Sequence, residues 1–224
     1  MPDESPTRPI RPLYDVWLKP RRVFRELAAA PIDRVDYLLG STQGMVSWLA
    51  LCRAQSAGAH SSIAAILGKA VIVGPIAGVL GMFLMTAVYS RLGRRAGGRS
   101  TRNQVFHVLA YSGVPMVVSL GIWMLTALLA GPAAFMETAP PDLEPFLGLV
   151  LQTQTVAHIF LVGWSLLLQV MGFSEVEGFA TRRAFGIWVL GQLLVLAAIF
   201  VLAILVYLSG LGPSAAPLDI FPPP

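Results

Sequence analysis

Apolar residues along this chain fall into five blocks separated by short stretches that carry the charge. Ala70–Ser90, Asn103–Met136, Phe146–Ser174 and Ala184–Leu218 contain no Asp, Glu, Lys or Arg. A helix needs about 20 mostly apolar residues to cross roughly 30 Å of hydrocarbon, and these four blocks meet that length. The earliest block, Tyr37–Cys52, lies between Asp36 and Arg53 and includes Ser41, Thr42, Gln43 and Ser47. By hydropathy alone it is marginal and would suit a re-entrant or interfacial segment. The pattern predicts an all-α polytopic membrane protein.

Charge decides the marginal block, because Lys and Arg accumulate in cytoplasmic loops. With five spans, at about 37–55, 68–90, 104–130, 147–172 and 184–209, all 16 Lys and Arg except Arg53 and Lys69 lie on one side. They occupy the segment before the first span, the loop from Arg91 to Arg102, and the pair Arg182–Arg183. Removing the first span splits the same residues nine against seven. The expected membrane domain is therefore a five-helix bundle over 37–210, with the N-terminus cytoplasmic and the C-terminus extracytoplasmic. A plasma membrane, of the bacterial inner-membrane kind, is the expected location. The loop Gly131–Pro145 fits the outer side, since it has Glu137, Asp142 and Glu144 but no Lys or Arg.

Composition agrees with the pattern. Hydrophobic residues make up 55% and charged residues 12% of the chain, with a mean hydropathy of +0.69, outside ordinary globular averages. The net charge of +4 flanks the spans and faces anionic headgroups, so no nucleic-acid partner is expected. Arg21, Arg22, Arg25, Arg94, Arg95 and Arg99 are the headgroup candidates. The single cysteine, Cys52, excludes an intramolecular disulfide. Residues 1–12 are polar and proline-rich, without the apolar core of a leader peptide. They are expected to be disordered, as is the extracytoplasmic tail 211–224, and the first span is expected to act as the insertion signal. Between them, 13–36 is read as a cytoplasmic amphipathic segment. Pro20 suits a first helical turn, Val23, Phe24 and Leu27 share one face, and Arg21, Arg22, Arg25 and Glu26 hold the other. Such a helix, with Trp17 just upstream, is expected to lie on the membrane surface.

Polar residues inside spans need partners and so carry the candidate chemistry. On the fourth span Gln154, His158, Ser165 and Gln169 fall within a 60° sector at 100° per residue, forming one stripe. The third span carries His107, Tyr111, Ser112, Ser119 and Thr126, and the fifth carries Gln192. Pro115 is expected to kink the third span and free a carbonyl near Tyr111. A narrow polar pathway, or a proton-sensitive site at His158, could use the stripe. Neutral side chains tying helices together are the favoured explanation, because the four strong spans hold no deep Asp, Glu, Lys or Arg of the kind coupled transporters use. On the second span Gly74, Gly78 and Gly81 fall on one face, and Gly74–Gly78 is a GxxxG pair that would let another backbone approach closely.

Enzymatic motifs are missing. There is no HExxH and no GxSxG. His60, His107 and His158 sit on separate segments without metal-ligand spacing, and Glu175 and Glu177 read as residues flanking a turn. No catalytic residue, metal or cofactor is expected. The glycine-rich stretch Gly93–Arg102 lacks the spacing of a nucleotide loop and reads as a tight turn near lipid phosphates.

Several segments together resemble the Yip domain family of multi-pass membrane proteins, in its compact bacterial form. They are Lys19–Phe24 (Lys-Pro-Arg-Arg-Val-Phe), Gly74–Gly78 (Gly-Pro-Ile-Ala-Gly), Gly97–Gly98, Ala110–Pro115 (Ala-Tyr-Ser-Gly-Val-Pro), and Gly172–Gly178 with Thr181–Ala184. The resemblance runs from about Trp17 to Leu208 and implies five spans with a cytoplasmic N-terminus. Eukaryotic relatives bind Rab-type GTPases. Here Val71-Ile72-Val73 stands where their acidic Asp-Leu-Tyr run precedes Gly-Pro, so GTPase recognition is not implied. A non-enzymatic scaffold or membrane-organising role follows, with a membrane protein or a second copy as partner. The competing expectation is a small channel or transporter. A reporter fused after Pro224 is predicted to be extracytoplasmic and one inserted at Gly98 cytoplasmic; a cytoplasmic C-terminus would contradict the five-span count.

Overall fold

The computed structural model describes residues 11–138 and 145–209, and every regular element among them is helical. The helices are α1 (Pro12–Leu18), α2 (Pro20–Leu27), α3 (Arg34–Ala54), α4 (Ile63–Arg95), α5 (Arg102–Tyr111), α6 (Val114–Ala130), α7 (Pro145–Glu177) and α8 (Thr181–Leu208). Short 3-10 turns follow α3 at Ala57–Ala59 and α6 at Gly131–Phe135. The two tails expected to be disordered, except for Arg11 and Pro12, lie outside the described residues, as do Asp142 and Glu144.

Local chemistry sets the helix starts. Asp33 accepts from the Val35 N–H at 2.8 Å, and the Asp36 carboxylate reaches back to accept from the Asp33 N–H at 2.9 Å. This reciprocal capping box satisfies donors that the first helical turn would otherwise leave open. Thr101 and Gln104 form the same device at the start of α5. Pro12 and Pro20 open α1 and α2 in their first turns, where a missing N–H costs nothing.

Four stretches are long and apolar enough to cross a membrane: Ile63–Arg95, Arg102–Phe135, Pro145–Glu177 and Thr181–Leu202. Their outward faces are apolar. Ile72, Ile76 and Leu80 of α4, Ile159 and Phe160 of α7, and Leu196 and Phe200 of α8 are all at least 55% exposed. Surfaces of that extent do not stay monomeric in water, and they suit hydrocarbon. The chain therefore fits a multi-pass integral membrane protein.

The contact that organises the bundle is between α3 and α4. A Cβ on Gly44 would run into the carbonyl of Gly74 and the backbone of Gly78; one on Gly78 would run into Gly40 and Gly44. Two GxxxG faces, Gly40–Gly44 and Gly74–Gly78, thus meet backbone to backbone. Gly40 abuts Met82 while Met45 abuts Gly74, so the register runs in opposite directions and the helices are antiparallel. Gly81, grouped with Gly74 and Gly78 in the sequence, departs from that expectation: an added Cβ there meets nothing.

The third apolar block is broken where Pro115 predicts, into α5 and α6. Side-chain donors reach the carbonyls next to Tyr111, as expected: those of Leu109, Ala110 (which also keeps the Gly113 N–H at 2.9 Å) and Ser112. Gln43 Nε2 donates to Leu109 O at 3.1 Å and to Ala110 O at 3.5 Å, Ser112 Oγ donates to Leu109 O at 3.0 Å, and Ser165 Oγ donates to Ser112 O. Side chains from α3 and α7 thereby take over the hydrogen bonds the break removes.

These packing differences predict opposite outcomes for one substitution at neighbouring glycines. Gly78→Ala forces two backbones apart and is expected to cost about 1–3 kcal/mol. Gly81→Ala enters open space and gains the alanine helix preference, at most about 1 kcal/mol. Thermal unfolding in detergent should rank Gly81→Ala at or above the parent and Gly78→Ala clearly below it.

Candidate functional site

The polar side chains collect in three places, and the first is the end of the bundle that carries α1, α2 and most of the arginines. Asp36, from the first turn of α3, is fully buried and meets His107 of α5, whose side chain is 3% exposed; Nδ1 and Oδ1 are 2.7 Å apart. The other ring nitrogen, Nε2, lies 3.1 Å from Ala30 O. A carbonyl only accepts, so Nε2 must carry a hydrogen. The short contact on the Nδ1 side then holds a further proton, carried by the imidazole or by the carboxyl. Two elements distant in sequence share that proton in a dry site. Tyr111, also buried, sits one turn further along α5, with its ring centroid 6.5 Å from that of His107.

At the same end of the bundle, Glu177 in the last turn of α7 is 2% exposed. It accepts from Ser100 Oγ at 2.7 Å and from Ser100 N–H at 3.2 Å. Gly93 and Gly98 give it room, since a Cβ on either would occupy the space of its carboxylate. The glycine-rich turn is thus a cradle for a carboxylate of the chain itself. Arg183 closes it, donating to Ala96 O at 2.5 Å and lying over the Phe179 ring.

The arginines of α2 are engaged within the protein. Arg25 pairs with Glu175 at 2.8 Å, Arg21 donates to Thr181 Oγ1 at 2.9 Å, and Arg22 pairs with Glu26 at 2.7 Å. Val23, Phe24 and Leu27 share a buried face as the periodicity predicts. That face packs on the bundle rather than on lipid: the Phe24 ring lies over Gly172 of α7, where a Cβ would collide with it. The expected surface-lying helix is corrected in this respect, because protein covers its apolar side. Arg94, Arg95 and Arg99 are exposed, with Arg99 against Gly178.

At the opposite end, Arg53 from the last turn of α3 donates to Gln154 Oε1 of α7. Gln154 is 2% exposed, and its Nε2 has no partner among the described residues. One turn along α7, His158 Nδ1 is 2.9 Å from Ser119 Oγ of α6, and the Trp123 ring stands edge-on to the imidazole. Near the middle, Ser165 bonds the α5–α6 junction, while Gln169 Oε1 accepts from the Trp188 indole of α8 at 3.0 Å. The predicted stripe therefore exists, and its four members reach α3, α6, the α5–α6 junction and α8. Gln192 of α8 lies beside a cavity with Gln43 and Gln169. No group of three or more His, Cys, Asp or Glu suited to a metal occurs among the described residues.

Sequence reasoning missed Asp36, Gln43, Arg53, Glu177 and the pair Gly40–Gly44. Asp36 and Arg53 served only as boundaries of an apolar block, and Gln43 counted against it. Gly40-x-x-x-Gly44 repeats the spacing noted at Gly74–Gly78 and was the available signal.

The buried pair predicts a specific pattern of stabilities. His107→Leu leaves Asp36 without its partner and is expected to cost about 3–5 kcal/mol. Combining it with Asp36→Leu removes the orphaned carboxyl, so the double variant should unfold at a higher temperature than His107→Leu alone. A double variant that loses the sum of both single effects would show that the two residues act independently.

The sequence profile of the Yip1 domain matches residues 14–205. No curated protein and no solved structure gave a match.

Proposed function

We propose a non-enzymatic, membrane-organising or partner-binding role for this chain, which belongs to the Yip1 domain family. The observation that carries the reading is where the interior polar groups spend their hydrogen bonds. Asp36, Gln43, Arg53, Ser165 and Gln169 each bond an element other than their own. Interhelical hydrogen bonds of this kind are worth about 0.6–2 kcal/mol apiece in membranes. A bundle knitted this way works through its surface.

The five-span reading belongs to the same proposal. At 1.5 Å per residue the 21 residues of α3 extend about 31 Å, enough to cross hydrocarbon, and the glycine contact sets α3 beside α4. Antiparallel pairing of α3 with α4 places Arg34 and Arg91–Arg102 at one end, as the charge rule requires of a cytoplasmic side. The exposed Arg94, Arg95 and Arg99 then face anionic headgroups, and a membrane protein or second copy would use the apolar flanks. In this reading the membrane is a plasma membrane with the N-terminus cytoplasmic, the α1–α2 layer sits at its cytoplasmic surface, and no cofactor is needed.

One observation favours a second reading, a small channel or transporter along the stripe. Gln154 Nε2 is buried without a partner among the described residues, on a helix turn shared with His158 and beside Arg53, an arrangement a passing solute could use. His158 separates the two. As a structural tie, His158→Gln keeps a bond to Ser119 and leaves the melting temperature within a degree or two. His158→Leu strands the hydroxyl and costs about 0.6–2 kcal/mol. Proteoliposomes should pass none of a panel of ions and small solutes in either case. Flux present in the parent and lost or altered in pH dependence in His158→Gln would overturn the scaffold reading.

A further inference from the structure

We propose that the cavity between α3, α4 and α8 binds one neutral, hydroxyl-bearing amphiphile taken from the bilayer. The cavity has a volume of about 480 Å³, within the roughly 300–1,000 Å³ range of small-molecule sites. Its walls are mostly apolar, formed by residues such as Trp48, Val73, Met82 and Met85. Three carboxamides interrupt them: Gln43 of α3, Gln169 of α7 and Gln192 of α8. At 1.5 Å per residue, each lies about 12–17 Å in from the basic end of its helix, so all three share one depth in the hydrocarbon.

Their hydrogen-bonding capacity is only partly used. Gln43 spends its Nε2 on the Leu109 and Ala110 carbonyls, leaving Oε1 to accept. Gln169 spends its Oε1 on the Trp188 indole, leaving Nε2 to donate. The Gln192 carboxamide has no hydrogen bond among the described residues. An amide without a partner in hydrocarbon costs several kcal/mol, so the site favours whatever completes these bonds. A hydroxyl is both donor and acceptor and can serve a free carbonyl oxygen and a free NH2 together. An apolar body would cover the remaining walls.

Size argues against the other occupants. At about 30 Å³ each, some 16 waters would be needed, and every one requires two to four polar partners. Three carboxamides and Ser47 cannot supply them. A helix about 10 Å across would fit for only about one turn, too little for a docked protein segment.

The test uses the full chain in lipid nanodiscs and a photoactivatable, diazirine-bearing hexadecanol. Labelling is expected on peptides holding Trp48, Met82 and Met85, with unlabelled hexadecanol competing at least tenfold better than hexadecane. Gln192→Leu should bring that preference down to nearly one. Gly81→Leu fills the cavity where an added Cβ meets nothing, and should abolish the label while the melting temperature holds. Equal competition by hexadecane overturns the proposal, as does label spread over the outer faces of α7 and α8 and unchanged in Gly81→Leu. If Gly81→Leu fails to fold, the parent competition and Gln192→Leu decide the matter alone.

Discussion

Hydrocarbon offers no hydrogen bonds, and a polar group that enters it without a partner costs several kcal/mol. In the five-span reading proposed above, that constraint bears on α3 more than on any other element. Its Ser, Thr, Gln and Asp side chains make it the least apolar of the long helices, and alone it would be a poor span. In the fold three of its polar side chains find partners. Asp36 is taken by His107, Thr42 bonds back to Leu38 O at 2.9 Å, and Gln43 crosses to the carbonyls of Leu109 and Ala110. Glycines at positions 40 and 44 bring α3 against α4 closely enough for backbone contact.

The same constraint explains why the two weak points of the chain are adjacent. Pro115 breaks the third apolar block and exposes carbonyls, and Gln43 needs acceptors; each supplies what the other lacks. Gly113 at the break has no side chain to displace the Gln43 amide, whereas any Cβ there would collide with it. Helix break and polar helix thus stabilise each other. At the basic end the logic is electrostatic: Glu177 is fully enclosed, yet Ser100 donates to it twice and the glycines of the turn allow the approach. Desolvating a carboxylate costs several kcal/mol, which hydrogen bonds to a charged group, at about 1.5–3 kcal/mol each, offset in part.

Much of this was legible in the sequence. The charge-free blocks gave the four longest helical stretches, the i, i+3, i+4 spacing gave the buried face of α2, and Pro115 gave the break. The resemblance carried by Lys19–Phe24, Gly74–Gly78 and Ala110–Pro115 agrees with the family match over 14–205. What stayed hidden depended on pairing. Periodicity orders residues around one helix but does not say which neighbour each face meets. Asp36 therefore read as a boundary, Glu177 as a turn residue, and the apolar face of α2 as lipid-facing. Gly81 shared a sector with Gly74 and Gly78 yet faces open space, because α3 crosses α4 at those two glycines and leaves Gly81 uncovered.

The five-span proposal requires that α3 be held inside the bilayer by its neighbours instead of lying at the interface. A cysteine scan along α3 in a Cys52→Ala background, probed with a membrane-impermeant maleimide on intact cells and on inverted vesicles, tests it directly. Positions from Leu39 to Leu49, apart from Gly40 and Gly44 where any Cβ collides, should stay unlabelled from both sides. A cysteine in place of the exposed Arg95 should react only from the cytoplasmic face, and one at Ser61 only from the opposite face. Labelling of α3 from the Arg95 side at every third or fourth position, with Ser61 reacting from that side too, would place the helix on the surface and contradict the account.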